Sequence, residues 1–182
     1  GYLLYKNGQA VTPLTVVPEP RFYRFFSTDG NHFRKIALLH GSDCLATTVI
    51  QPCVHWKTGR QCAFCGTQFT LNNGSTLARK HPQQLAEVAK MARQLDRVTH
   101  VVLTSGTADP PSAEIPYLAA CAAAIKEASG LPVHIQFAPP KDLGLMESLK
   151  SAGVDTVGIH VESFDSQTLA RVAPAKAAIG MS

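Results

Sequence analysis

Apolar residues recur every three or four positions in several stretches of the chain, which is the period of an amphipathic helix. The clearest stretch runs from Pro82 to Leu95, and Pro82 suits the first helical turn. A second helix is predicted over 112–129 and a third over 142–152, each followed at once by a glycine that can end a helix in the left-handed conformation. Asp165 is placed to cap a fourth, shorter helix.

Short apolar runs between the helices predict β-strands. The predicted strands are 35–40, 44–50, 99–104, 132–137 and 155–161. From the second of these onward, strand and helix alternate four times, which predicts parallel strands joined by helices. Such units form either an open doubly wound sheet or a barrel, and four units make only an arc of a barrel.

The two faces of the last two predicted strands differ in polarity. One face carries only valine, isoleucine and phenylalanine, whereas His134, Gln136, His160 and Glu162 share the other. Any one of these polar residues, taken alone, is better explained as a buried group with a hydrogen-bond partner. An open sheet covered by helices would be apolar on both faces. The common polar face therefore predicts an α/β fold of the partial (βα) barrel type, with helices outside and a ligand cavity inside.

The N-terminal part of the chain lacks this alternation. Residues 1–34 contain several prolines and an Asn7-Gly8 hairpin signal, and we expect a β-rich lead-in there. The partial barrel, with its first four βα units, is expected over 35–182. Because the chain starts without methionine and ends in an Ala/Gly stretch, we expect a C-terminally truncated piece of a longer protein.

Composition and charge exclude several classes of partner. The net charge is +4 and the basic residues are scattered, which does not favour nucleic acid as a partner. The longest nearly apolar stretch, Tyr117 to Ile125, is far shorter than the ~20 residues of a membrane span. No signal-peptide pattern opens the sequence, so a cytoplasmic location is expected.

The five cysteines predict a metal site rather than disulfides, because two of them form a Cys-x-x-Cys pair. Cys44 lies at the far end of its strand and Cys121 on the apolar stripe of a helix. Cys53, Cys62 and Cys65 remain. A [4Fe–4S] cluster takes one thiolate per iron, so three cysteines would leave one iron open to a small molecule. With His55, the same cysteines would equally suit a zinc site.

The segment Cys62-Ala63-Phe64-Cys65 resembles the radical S-adenosylmethionine (SAM) superfamily, whose usual motif is Cys-x₃-Cys-x-aromatic-Cys. This chain departs from that motif by having eight residues between Cys53 and Cys62. The resemblance implies a [4Fe–4S] cluster on these three cysteines and reductive cleavage of S-adenosyl-L-methionine. The resulting 5′-deoxyadenosyl radical would abstract hydrogen from a small-molecule substrate, and an electron donor such as flavodoxin or ferredoxin would supply the electron.

Further positions match the family's SAM-binding pattern. Thr104-Ser105-Gly106-Thr107 occupies the place of a Gly-Gly-Glu-type motif that binds the methionine amino group. Glu162-Ser163 lies where relatives contact the ribose or methionine, Arg171 resembles an arginine that pairs with the methionine carboxylate, and Phe64 would lie near the adenine. A plain turn, a helix cap and a solvated charge are the simpler explanations of the first three.

The polar face of the last strands is where the resemblance implies a substrate. His134, Gln136 and His160 are the expected substrate contacts, and no catalytic residue is assigned. The run from Gly153 to Lys176 is most similar to the biotin synthase and lipoyl synthase branch, and to an uncharacterised radical SAM family of nitrilase-associated gene clusters. A zinc-stabilised α/β binding domain without catalysis is the alternative.

Overall fold

The computed structural model describes residues 1–140 and 142–179. Lys141 and residues 180–182, which fall in the predicted barrel range, lie outside the described residues. The strands are β1 (Tyr2–Lys6), β2 (Gln9–Leu14), β3 (Leu38–His40), β4 (Cys44–Thr48), β5 (His100–Thr104), β6 (Val133–Gln136) and β7 (Thr156–Gly158). The helices are α1 (Phe33–Ile36), α2 (Val54–Lys57), α3 (Thr67–Asn72), α4 (Pro82–Asp96), α5 (Glu114–Ser129), α6 (Met146–Ser151), α7 (Ser166–Val172) and α8 (Pro174–Ala177).

Five strands form the main sheet in the order β3-β4-β5-β6-β7. Strand β3 is antiparallel to β4, and the other neighbours are parallel, as the strand–helix alternation predicted. The register aligns Thr48 with Thr104, Thr104 with Gln136, and Gln136 with Gly158. The carboxyl ends of the parallel strands therefore meet along one edge.

One face of the sheet packs against helices and forms the core. Val101, Leu103, Val133 and Ile135 are buried there together with the apolar stripes of α4 and α5. The opposite face carries the alternate residues of β4, β5 and β6, and these line an open cavity. Strand β6 follows the predicted difference between the faces, since Val133 and Ile135 are buried and Gln136 lines the cavity. The last predicted strand does not follow it, since Val157 and Ile159 are 43% and 42% exposed.

Several predicted boundaries are wrong by a few residues. Residues 35 and 36 are helical in α1, because the His32 side chain accepts a hydrogen bond from Arg34 N and begins a turn there. Strand β7 is shorter than the predicted 155–161, because its only partner, β6, ends at Gln136. Ser112 does not cap α5; it lies in a 3₁₀ turn, and the helix begins at Glu114 without a side-chain cap.

The helix starting near 142 also begins later than predicted. Asp142 caps a 3₁₀ turn over Leu143–Leu145 by accepting from Gly144 N, and α6 follows. The two predicted helix-ending glycines are confirmed, since Gly130 and Gly153 both have positive φ. Asp165 caps α7 by accepting from Thr168 N, again as predicted.

The N-terminal segment contains the predicted hairpin. Asn7 (φ 50°) and Gly8 (φ 80°) form its turn between β1 and β2, as expected of the left-handed two-residue hairpin turns. Phe22 and Phe33, farther along, are buried in the main core. The proposed division at residue 34 thus stays a prediction. Among the described residues, no helix has the length and apolar character to cross a membrane.

Candidate functional site

Two cavities meet at the carboxyl edge of the sheet. The larger, about 940 Å³, lies over the inner face of β4, β5 and β6. The smaller, about 330 Å³, lies beyond the strand ends. Thr104, Gln136 and His160 line both, together with Gly66 and Thr67. The two cavities therefore adjoin, and these five residues can contact a ligand in either of them.

The three cysteines singled out by their spacing all line the smaller cavity. Cys53, Cys62 and Cys65 are free thiols of intermediate exposure around this space. Cys44 and Cys121 are buried and line neither cavity. The fold thus separates two structural cysteines from three that can meet a ligand.

The arrangement of the three thiols bears on which kind of metal group they can bind. In the two described ranges, no three His, Cys, Asp or Glu side chains converge closely enough to hold one metal ion. A zinc site needs that convergence, because its ligands bind one ion at about 2.0–2.3 Å. A [4Fe–4S] cluster does not, because its cysteines bind different irons. Three free thiols that line one cavity are the donor set of a cluster with three cysteine ligands.

Gly106 creates the space in which Cys53 lies. Its amide donates to Ile50 O (2.8 Å), and Val54 N donates to Thr107 O (3.0 Å), so the loop after β4 packs directly on the loop after β5. A Cβ atom at Gly106 would be 2.8 Å from Pro52 O and 3.0 Å from the Cys53 Cβ. No side chain fits there unless the Cys53 loop moves.

The Cys62–Cys65 turn is held by the C-terminal helices. Cys65 N donates to Cys62 O (3.1 Å) and closes the turn. Ala63 N donates to Val172 O (2.8 Å), which docks the turn on the end of α7. Arg60 Nη2 donates to Pro174 O (3.1 Å) at the start of α8. Residues 172–174 therefore fix the position of two of the three thiols.

Lys176 places a positive charge beside Cys62. Burial raises the pKa of the Cys62 thiol, and the Lys176 ammonium opposes that rise. Lys176 also lines the smaller cavity, pairs with Glu162 and donates to His160 O (3.3 Å). Glu162 has a φ of 69°, which is uncommon for a residue with a side chain and recurs at functional sites.

The positions taken from the SAM-binding pattern fall into two groups. Phe64 and residues 104–107 line the smaller cavity. Arg171 is exposed on α7 and lines neither cavity, nor do Glu162 and Ser163. The Ser163 hydroxyl accepts from Asp165 N (3.1 Å) ahead of α7, which is a local turn contact. Glu162 reaches the cavity only through Lys176.

The three expected substrate contacts also separate. Gln136 and His160 line both cavities, whereas His134 lines neither. The His134 ring is held by Thr156 Oγ1 (2.6 Å) on one side and Gln136 Nε2 (3.2 Å) on the other. His134 thus orients Gln136 rather than facing the open space.

Sequence reasoning missed two residues next to the site. Lys176 lies in α8, which Pro174 begins, whereas Arg171 lies in α7. The helical periodicity around Arg171 therefore gave no indication of where Lys176 would lie. Glu114 begins α5 and is buried behind residues 105–107, where its Oε2 accepts from Ala108 N (3.3 Å). Burial raises the pKa of Glu114 to about 7. In the sequence, Glu114 could be noticed only as an acidic residue in the first turn of a helix. Acidic residues are common there without any functional role, because they interact favourably with the helix dipole.

Comparisons with known proteins bear on this site. The family model described as "Radical SAM superfamily" matches residues 59–178, more than half of the chain. No curated protein matches the sequence. The fold is similar to that in "Crystal structure of methylornithine synthase (PylB)", with a TM-score of 0.54 and 18% sequence identity. That similarity covers 76% of this chain but only 37% of methylornithine synthase, so the chain spans little more than a third of its length.

At this sequence identity the structural likeness shows the fold alone, and it agrees with the sheet and helices described above. Together with the family match, it confirms the predicted partial barrel of the radical SAM type. The family match starts at residue 59 and contains Cys62, Cys65 and Lys176, whereas Cys53 lies outside it. The chain belongs to the radical SAM superfamily, whose members use a [4Fe–4S] cluster and S-adenosyl-L-methionine.

Proposed function

We propose that this chain carries the SAM-cleaving site of a radical enzyme, with the cluster on Cys53, Cys62 and Cys65. The observation that carries the proposal is the gathering of these three free thiols around one cavity at the carboxyl edge of a partial barrel. When bound and reduced, the cluster supplies the electron that splits SAM into methionine and a 5′-deoxyadenosyl radical. An electron donor such as flavodoxin or ferredoxin is proposed as the source of that electron.

SAM is proposed to occupy the smaller cavity. Its amino group would lie against Thr104–Thr107, where the Ser105 hydroxyl already donates to Gly106 O (2.7 Å) and stabilises the loop. Phe64 is 61% exposed at the cavity, and its backbone would contact the adenine. Gly106, without a side chain, leaves room for the methionine part.

The unidentified substrate is proposed to occupy the larger cavity. Its floor includes the hydroxyls of Thr48 and Thr104, which hydrogen-bond to each other (2.8 Å). Gln136 and His160 line both cavities and would contact the substrate on one side and SAM on the other. Their position would hold the substrate hydrogen near the radical and exclude water from the path between them.

Anaerobic reconstitution tests this proposal directly. Protein treated with iron and sulfide is expected to hold about four irons and four sulfides per chain. Adding SAM to the reduced protein is expected to change the EPR signal, because SAM would bind the iron that lacks a cysteine. Stoichiometric zinc with no iron-dependent absorbance would instead support the zinc-stabilised binding domain, for which His55 at the same cavity offers a fourth ligand.

Lys176, rather than Arg171, is proposed to bind the methionine carboxylate. An ammonium has three protons. Among the described residues, Glu162 and His160 O use two of them, and the third is available to a ligand in the cavity that Lys176 lines. A hydrogen bond between charged groups contributes about 1.5–3 kcal/mol. We expect Lys176→Met to weaken SAM binding roughly tenfold to 100-fold, and Arg171→Met to leave it unchanged.

The measurement is the dissociation constant for SAM, from an EPR titration of cluster-loaded protein. Lys176→Met also leaves Glu162 unpaired, so the Lys176→Met/Glu162→Gln double variant separates that effect from the loss of the cation. Equal affinity in wild type and the double variant would exclude Lys176 as the carboxylate ligand. Weakened binding in Arg171→Met would return that role to the helix α7 arginine.

A further inference from the structure

Lys80 is a buried cation beneath the cysteine loop, and the proposed SAM chemistry does not use it. Its exposed fraction is 1%. The residue before it, Arg79, forms an antiparallel bridge with Ile50. The backbone amide of Lys80 donates to Val49 O (2.9 Å). The segment before α4 thus lies against the carboxyl end of β4, with the Lys80 side chain pointing inward.

The ammonium of Lys80 is bound by four neutral oxygen atoms. These are Thr76 Oγ1 (2.6 Å), Thr48 O (2.7 Å), Leu77 O (2.9 Å) and Gln51 Oε1 (3.2 Å). No described carboxylate lies within 4.0 Å of Nζ. Burial lowers the pKa of Lys80 to about 8, because it removes the ammonium from water.

Gln51 connects this ammonium with both arms of the cysteine loop. Its carbonyl oxygen accepts from Lys80, while its amide nitrogen donates to Thr70 Oγ1 (2.8 Å) and Thr67 O (3.1 Å). Gln51 precedes Cys53 by two residues, and Thr67 follows Cys65 by two. The Thr67 hydroxyl lies 3.1 Å from Cys65 Sγ. One hydrogen-bond network, with Lys80 and Gln51 buried at its centre, therefore contacts the chain on both sides of the three thiols.

A structural role alone does not explain why the centre of the network is charged. A neutral donor could bind the same oxygens without the cost of burying an ammonium. A cluster with three thiolate ligands carries negative charge, and reduction adds to it. A fixed cation nearby would offset part of that charge and would stabilise the reduced form more than the oxidised form.

We propose that Lys80 is a positioning residue for the iron–sulfur cluster, fixing both arms of the cysteine loop and raising the reduction potential through its positive charge. The proposal rests on the proposed function, since it requires the cluster. A residue that acted only through packing would change the reduction potential only when the shape of its side chain changed. The proposed role predicts that the potential also depends on the charge at position 80.

Two pairs of variants separate charge from shape. Lys80→Met removes the charge, and Lys80→Arg keeps it. Thr76→Asp places a carboxylate beside the ammonium while Lys80 and Gln51 stay in place, and Thr76→Asn is its neutral control. In anaerobically reconstituted protein, the midpoint potential of the cluster is measured by EPR-monitored redox titration, with iron content and melting temperature measured alongside.

We expect Lys80→Met and Thr76→Asp to lower the potential by at least the equivalent of a tenfold change in the reduction equilibrium, about 59 mV for one electron. Lys80→Arg and Thr76→Asn are expected to stay near wild type. If Lys80→Met fails to fold or to hold iron, the Thr76 pair decides alone. Equal potentials in Thr76→Asp and Thr76→Asn overturn the proposal. Wild type without a cluster overturns the proposed function instead.

Discussion

Cys62→Ala and Cys65→Ala are each expected to abolish the iron–sulfur cluster, whereas Cys44→Ala and Cys121→Ala retain it. All four residues are free cysteines, but only the first two line the smaller cavity. Removing one of three thiolates leaves a cluster with two protein ligands and two irons without any. The measurement is iron and sulfide content with the visible absorbance of reconstituted protein, where the first pair should lose nearly all signal.

The buried cysteines are matched controls for the loss of a sulfur atom. Cys121 is fully buried in α5, where burial raises its pKa to about 12 and keeps it a neutral packing group. Its replacement by alanine is therefore expected to lower the melting temperature without lowering the iron content per folded chain. Loss of the cluster in Cys121→Ala, at a temperature where the protein is folded, would contradict the ligand assignment.

Cys53 needs its own test as a cluster ligand, because the eight residues between it and Cys62 exceed the three of the usual family motif. It lines the same cavity as the other two, so Cys53→Ala is also expected to lose the cluster. His55 lines the same cavity, and burial lowers its pKa. A lower pKa favours the neutral imidazole, which is the form that binds a metal. If Cys53→Ala retains iron while Cys53→Ala/His55→Ala does not, His55 is the third ligand.

The sequence was sufficient for the fold class, and it singled out three cysteines that line one cavity. Strand residues alternate between faces, so the polarity of 132–137 and 155–161 predicted which side of the sheet would be open. Because parallel strands end at one edge, the segments after β4, β5 and β6 had to approach each other there. The common cavity of Cys53, Gly106 and Gln136 follows from these two rules.

The details that depend on packing between distant segments were not predictable. Lys176 becomes a neighbour of Cys62 only because the Cys62–Cys65 turn docks on Val172 and Pro174. His134 shares a face with Gln136, yet Thr156 on the next strand draws its ring away from the cavity. Lys80 lies in no sequence motif and is buried because the residue before it, Arg79, pairs with Ile50, just beyond the end of β4.

Gly106→Ala is expected to displace the Cys53 loop and to cost both stability and cluster. The added methyl group would lie 2.8 Å from Pro52 O and 3.1 Å from Ile50 O, and backbone oxygens cannot rotate away as a flexible side chain can. Gly106 N and Thr107 O hold that same loop in place through hydrogen bonds. Relieving the clash therefore requires separating the loop that carries Cys53 from the loop proposed to bind SAM.

Overpacking of this kind costs roughly 1–3 kcal/mol, which corresponds to a melting temperature lower by roughly 2–12 °C for a chain of this size. Gly66→Ala is the matched control. Gly66 lines the smaller cavity, as Gly106 does, and has a φ of −97°, which alanine adopts freely. Its added methyl group would have no atom within 4 Å. That variant is expected to keep wild-type stability and iron content.

The two glycine variants together distinguish a steric effect on the loop from a general effect of filling the cavity. Iron content in Gly106→Ala should fall well below that of Gly66→Ala when both are reconstituted at a temperature where each is folded. If the two variants hold equal iron, the contact between Gly106 and the Cys53 loop does not position the third thiol. Cys53 would then have to reach the cluster from a loop that moves on binding, and the close packing of Pro52 on Gly106 would not persist in the loaded protein.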